Sequence, residues 1–155
     1  MAGLIVKSPY LKCGGGSSVS GYLRYIGTRE QVEILPDDRA MLAKRMAEIA
    51  DENQAELILT TGGTGFSPRD ITPEATKEIV ERETPGISEA IRMFSLNITK
   101  RAMLSRAASG IRKKTLIVNL PGSPKACKEA LDFVLEDIKH GIDILNETAK
   151  ECARK

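Results

Sequence analysis

Two short apolar runs, Leu57-Ile58-Leu59 and Leu116-Ile117-Val118, most constrain the fold of this chain. Each is unbroken, too brief for a helix and bounded by turn-forming residues. That is the pattern of a strand covered on both faces. Such strands need helices above and below, and the sequence supplies them. Leu42, Met46, Ile49 and Ala50 recur at helical spacing after Pro36-Asp37-Asp38, and either aspartate can cap that helix. Leu131, Val134, Leu135, Ile138, Ile142, Leu145 and Ala149 give a long C-terminal apolar stripe, which suits packing on the sheet or on another subunit. Thr72-Pro73-Glu74 reads as a helix start, with threonine as cap, and the pattern runs to about Glu83 before Thr84-Pro85-Gly86. Ser88 to Ser95 reads as a second helix, and 101–112 is either strand or loop. Leu4-Ile5-Val6 and the alternating Gln31 to Leu35 add strands. Strands alternating with helices predict an α/β fold with a mainly parallel sheet, and residues 1–155 read as a single domain.

The totals exclude several function classes. A net charge of +2 is too small for a nucleic-acid face, and without Trp and with three Phe and three Tyr there is no stacking platform for single strands. The apolar runs are far short of a membrane span, and no charged segment precedes a long apolar one as in a secretory signal. Cys13, Cys127 and Cys152 are odd in number and widely spaced, which predicts reduced thiols in a cytoplasmic setting, not a disulfide framework or zinc site. His140 is alone near a helix end, which points to packing or capping.

Ligands in an open α/β sheet gather beyond the carboxyl ends of strands. Three segments leave such ends: Pro36-Asp37-Asp38, Thr61 to Asp70, and Pro121-Gly122-Ser123-Pro124. Gly62-Gly63-Thr64-Gly65 reads as either a plain turn or a phosphate cradle, since glycines let backbone N–H groups converge on an anion. It is neither a Walker A sequence nor a dinucleotide fingerprint. Arg69-Asp70 favours the cradle: arginine can fork onto phosphate, and an aspartate there makes sense beside Mg²⁺. Asp37 or Asp38 can supply a second carboxylate. Gly122-Ser123-Pro124 opens a helix N-terminus, a place that favours an anion. Lys125 in its first turn opposes the helix dipole unless a ligand phosphate lies nearby.

TTGGTGFSPRDITPEAT at 60–76, MLSR at 103–106, GIR at 110–112 and LIVNLPGSP at 116–124 resemble the molybdopterin adenylyltransferase family, whose members include the G domain of gephyrin. PGISEAIRMFSLNIT is similar to the gephyrin-type members, and the likeness runs from about Val32 to about Leu145. The resemblance implies a three-layer α/β/α sandwich, commonly a homotrimer, with hexamers in one branch. It implies transfer of AMP from Mg-ATP to the terminal phosphate of molybdopterin, with release of pyrophosphate and onward transfer for molybdenum insertion. On this reading Asp70 and Asp37 are catalytic and hold Mg²⁺. Thr61, Gly62, Gly63, Thr64 and Gly65 bind phosphate, Ser105 and Arg106 lie on the pterin side, and Gly122, Ser123 and Pro124 line the nucleotide and pterin pocket.

Residues 1–31 depart from the family pattern. Members have a first strand ending in Ser-Asp, an Asp-x-Ser-Gly loop and an amphipathic helix. Here Ser8 is followed by Pro9, Ser18-Val19-Ser20-Gly21 stands where the loop would be, and the helix pattern is short or absent. A missing aspartate would leave a gap in the crevice rim, and a missing helix would make the protein less stable or more oligomer-dependent. The alternative function is a molybdopterin-binding or oligomerising scaffold without transfer activity.

Overall fold

The computed structural model describes residues 2–8 and 29–148, with side chains from 33 to 148. The six strands of the described sheet are β1 (Ala2–Ser8), β2 (Arg29–Leu35), β3 (Leu57–Thr61), β4 (Arg82–Glu83), β5 (Ser109–Arg112) and β6 (Thr115–Leu120), in the order β2-β1-β3-β6-β5-β4. Helices α1 (Arg39–Asp51), α2 (Thr72–Ile79), α3 (Pro85–Leu96) and α4 (Pro124–Leu145) are the described α-helices, with a 3₁₀ turn at Lys100–Leu104.

Side-chain alternation along β3 and β6 separates two cores. Ile58 and Ile117 join Leu42, Met46 and Ile49 of α1 and Ala75 and Ile79 of α2. Leu57, Leu59, Leu116, Val118 and Leu120 join Ile91 of α3 and Leu131, Val134, Ile138 and Ile142 of α4. The sheet is therefore the middle of three layers, and the expected α/β/α sandwich is present. The expected parallel pairing holds at the centre, between β3 and β6. The remaining described ladders, β1–β2, β1–β3, β4–β5 and β5–β6, are antiparallel, so the sheet is mixed.

That mixture places Ser8 away from the crevice. β1 pairs Gly3 with Thr61 and Lys7 with Leu57, so Ser8 leaves at the edge opposite the carboxyl ends of β3 and β6. It therefore does not stand where the resemblance put the family serine. The glycine-rich stretch at 13–18, the short segment 22–27, the Ser18-Val19-Ser20-Gly21 element, Cys13, Ala149 and Cys152 lie outside the described residues.

Three helix boundaries follow local chemistry. Asp38, not Asp37, caps α1: its Oδ1 accepts the Met41 N–H at 2.8 Å. At α2 the cap position is Ile71, so Thr72 is the first helical residue and caps nothing. The same helix ends at Ile79 and not near Glu83, because Arg112 Nη1 donates to the Ile79 carbonyl at 2.8 Å and Arg82-Glu83 pair with β5. The ambiguous 101–112 stretch resolves into the 3₁₀ turn and β5. Forked arginines fasten the layers: Arg45 grips Glu33 at 2.6 and 2.8 Å, and Arg112 grips Asp51 at 2.7 and 2.9 Å.

Candidate active site

The carboxyl ends of β2, β3 and β6 all point to one edge of the sheet. The loops leaving β3 and β6 are joined there. Thr61 Oγ1 donates to the Pro121 carbonyl at 2.8 Å, and Cys127 Sγ donates to the same oxygen at 2.6 Å. A Cβ added to Gly122 would sit 3.3 Å from the Gly62 Cα, so the two glycines pack backbone to backbone. Gly62 and Gly63 have φ of +88° and +64°, a region that side chains strain to enter. A Cβ on Gly63 would also overlap the Thr72 hydroxyl.

Asp70 closes the loop. Its Oδ2 accepts the Ser67 N–H at 2.9 Å, and its own N–H donates to the Ser67 carbonyl at 2.8 Å. Oδ1 carries no hydrogen bond from the described residues. Gly65 passes so close to Oδ2 that a Cβ there would lie 2.9 Å from it.

Arg106 holds the loop from beneath. Nε donates to the Gly65 carbonyl at 2.7 Å, Nη2 to the Asp70 carbonyl, and Nη1 to the Glu74 carboxylate. Its backbone N–H donates to the Thr64 carbonyl at 2.8 Å. Burial pushes the Glu74 carboxyl up, but the Arg106 hydrogen bond, a backbone hydrogen bond and nearby positive charge outweigh this and hold it below the ordinary carboxylate range. Burial pushes the Cys127 thiol up, only partly offset by Thr61.

A cavity of about 270 Å³ opens beside this loop. Thr64, Gly65, Arg92, Ser95, Arg101 and Ser105 line it, with the Pro121-Gly122 turn at one side. Arg92 Nη1 donates to the Ser105 carbonyl at 3.0 Å. The structure thus brings together the Thr61–Asp70 loop, Ser105, Arg106 and the Gly122 turn. Ser123 is exposed at the α4 N-terminus with no capping bond from its hydroxyl, and Pro124 begins that helix. Lys125 is exposed and only loosely paired with Glu129, at 3.9 Å. Asp37 lies at the same edge but is separated from β3 by β1, roughly 10 Å across two strand spacings.

Sequence reasoning missed the lining cations Arg92 and Arg101. The spacing of Arg92, Ser95 and Thr99, three and four residues apart, marks a polar stripe on α3 and its continuation. It also missed Asn119. Buried in β6, its Nδ2 donates to the Thr60 and Thr76 hydroxyls at 2.9 and 2.8 Å, and its Oδ1 accepts the Ala108 N–H at 3.0 Å.

A divalent ion fits the donor set in one way. Among the described residues no three His, Cys, Asp or Glu side chains converge. Mg²⁺ is usually held by one or two carboxylates, with phosphate oxygens and water completing its shell. Asp70, with Oδ1 open beside a glycine loop, suits that arrangement.

Residues 17–140 match a family model described as a probable molybdopterin binding domain. The chain is 46% identical over 113 residues to a molybdopterin adenylyltransferase of Helicobacter pylori strain J99, covering 73% of this chain and 64% of that protein. It is 56% identical over 95 residues to gephyrin of Dictyostelium discoideum, covering 61% of this chain and 13% of gephyrin. The chain thus spans a little under two thirds of the H. pylori relative's length. Among solved structures, the molybdopterin biosynthesis Mog protein of Mycobacterium ulcerans superposes with a TM-score of 0.76 at 32% identity, covering 83% of this chain and 84% of that one. With the model matched over most of its length and the fold shared, the chain belongs to the molybdopterin-binding domain family of molybdenum cofactor biosynthesis.

Proposed function

We propose that the crevice transfers AMP from Mg-ATP to the terminal phosphate of molybdopterin. A phosphate oxygen of molybdopterin attacks the α-phosphorus of ATP. The bond from that phosphorus to the bridging α–β oxygen breaks, and the electron pair leaves with pyrophosphate. The observation that carries this reading is the join of two glycine turns beside an open aspartate oxygen and an arginine-lined cavity. The nucleophile belongs to the substrate, so the protein needs no nucleophilic side chain, only alignment of two anions and relief of their repulsion. Backbone N–H groups of Gly62 to Gly65 hold phosphate, aided by the Thr61 and Thr64 hydroxyls where their own bonds allow. Ser105 meets the pterin side, and Gly122, Ser123 and Pro124 form the wall shared by nucleotide and pterin. Asp70 holds Mg²⁺, which neutralises phosphate charge when bound. Asp37, across β1, would hold a second Mg²⁺ at the same edge, since the spacing is too wide for it to share the ion at Asp70.

Residues 1–155 act as one domain, and its 1–31 segment varies from the family pattern. The protein works as a homotrimer, with a hexamer as the larger form, and hands its product to a molybdenum-insertion protein. A reduced, buried Cys127 suits the cytoplasm. No described helix is long and apolar enough to cross a membrane.

The test is AMP transfer by the purified protein from labelled ATP with molybdopterin and Mg²⁺. Asp70→Asn is expected to lose activity about 100-fold or more while binding molybdopterin within about threefold of wild type. Full activity in that variant would sink the proposed role of Asp70. A scaffold reading draws on one observation, the strand β1 standing between Asp37 and the loop. It predicts molybdopterin binding by the wild-type protein with no AMP transfer.

A further inference from the structure

Arg106 was expected on the pterin side, where a cation would meet phosphate. Its guanidinium is used otherwise. Nε, Nη1 and Nη2 each donate to a different acceptor: the Gly65 carbonyl, the Glu74 carboxylate in the first turn of α2, and the Asp70 carbonyl. A guanidinium facing two carbonyls and a carboxylate has its charge matched already and little left for a phosphate. Asp70 is then held at both ends, its carbonyl by Arg106 and its Oδ2 by the Ser67 N–H. Oδ1 stays open among the described residues. The restraint extends into the cavity, because Arg92 holds the carbonyl of the neighbouring Ser105 and Arg106 N–H holds Thr64.

We propose that Arg106 is a positioning residue that aims the open oxygen of Asp70, and that it is not a phosphate ligand. The inference rests on the functional reading above only for its effect on catalysis. Its geometry predicts a distinctive pattern for lysine. A lysine keeps the positive charge but has one compact ammonium, which cannot reach three acceptors lying in separate directions. A phosphate-binding cation would be largely replaced by lysine, and a three-way fork would not.

The experiment compares wild type, Arg106→Lys and Arg106→Ala in three measurements: amide hydrogen exchange, molybdopterin and Mn²⁺–ATP binding by calorimetry, and AMP-transfer kinetics. In Arg106→Lys, peptides spanning 62–70 should exchange at least about tenfold faster, while β6 amides keep their protection. Molybdopterin affinity should stay within about threefold. The Mn²⁺–ATP affinity and kcat should fall, kcat by about 100-fold, since small misplacements carry costs of that size. Lysine should rescue little of the alanine defect. If lysine restores kcat, or if loop exchange is unchanged while molybdopterin affinity drops tenfold or more, the positioning role is wrong and Arg106 is a phosphate ligand. Should Arg106→Ala not fold, the lysine variant alone decides between these outcomes. An inactive wild type would sink the adenylyl-transfer reading, and the exchange data would still decide what Arg106 does.

Discussion

Gly63 and Gly141 are both glycines, yet the structure assigns them opposite costs. Gly63 sits at φ +64° with Thr72 against the place a Cβ would take. Gly141 lies inside α4 with nothing within 4 Å of that place. Gly63→Ala should destabilise the fold by about 1–3 kcal/mol. Gly141→Ala should stabilise it by about 0.5–1 kcal/mol through better helix propensity. Urea unfolding of both variants checks the signs. The glycine turn was legible because a backbone at positive φ favours that residue type. The part played by Thr72 was not. A threonine before proline carries the signal of a cap, but the Thr72 N–H donates to the Gly63 carbonyl and draws the residue into the helix. Its hydroxyl is left buried with no partner among the described residues. Arg106 posed the same difficulty: an arginine's sequence neighbours do not say which acceptors its fork will find.

At the scale of elements, α2 and the segment entering β5 are coupled through one ion pair, Glu74 with Arg106. Its pH dependence has a definite sign. The Glu74 carboxyl in the folded protein lies below its ordinary value, 4.5. Its contribution is therefore present above that value and is lost as pH falls through the depressed folded one. The stability advantage of wild type over Glu74→Gln should be steady from pH 7 to 5 and shrink below about pH 4.5. Unfolding curves at pH 7, 5 and 3.5 measure it, and an advantage that grows on acidification would contradict the pairing. The strands β3 and β6 were legible from their unbroken apolar runs, and helices α1 and α4 from their helical periodicity. Strands β4 and β5 were not. Arg82-Glu83 is a strand only because Gly110 and Ile111 lie beside it, and a Cβ at Gly110 would lie 2.8 Å from Val80 side-chain carbons. Pairing of that kind is a tertiary fact. The mainly parallel expectation had the same origin: apolar runs reveal that a strand is buried, not which way its neighbours run.

For the whole molecule, apolar side chains are exposed along one stretch of chain. Met93, Ile98 and Met103 are 69%, 52% and 62% exposed, and Leu96 and Leu104 beside them are exposed too. Such a run on a folded surface is unusual unless something covers it. If self-association does so, the thermal midpoint should rise with protein concentration. A midpoint constant over a hundredfold range would count against an oligomer-dependent fold. The layered fold and the loops at one edge were legible at this scale, but the strand separating Asp37 from Asp70 was not, because strand order is written in no local pattern. The antiparallel β1 has a further consequence. Ser8 pairs with Arg29 at the end of the sheet away from the crevice. The residue that ends β1 and the residue that begins β2 therefore stand side by side, at the end of the sheet opposite the crevice.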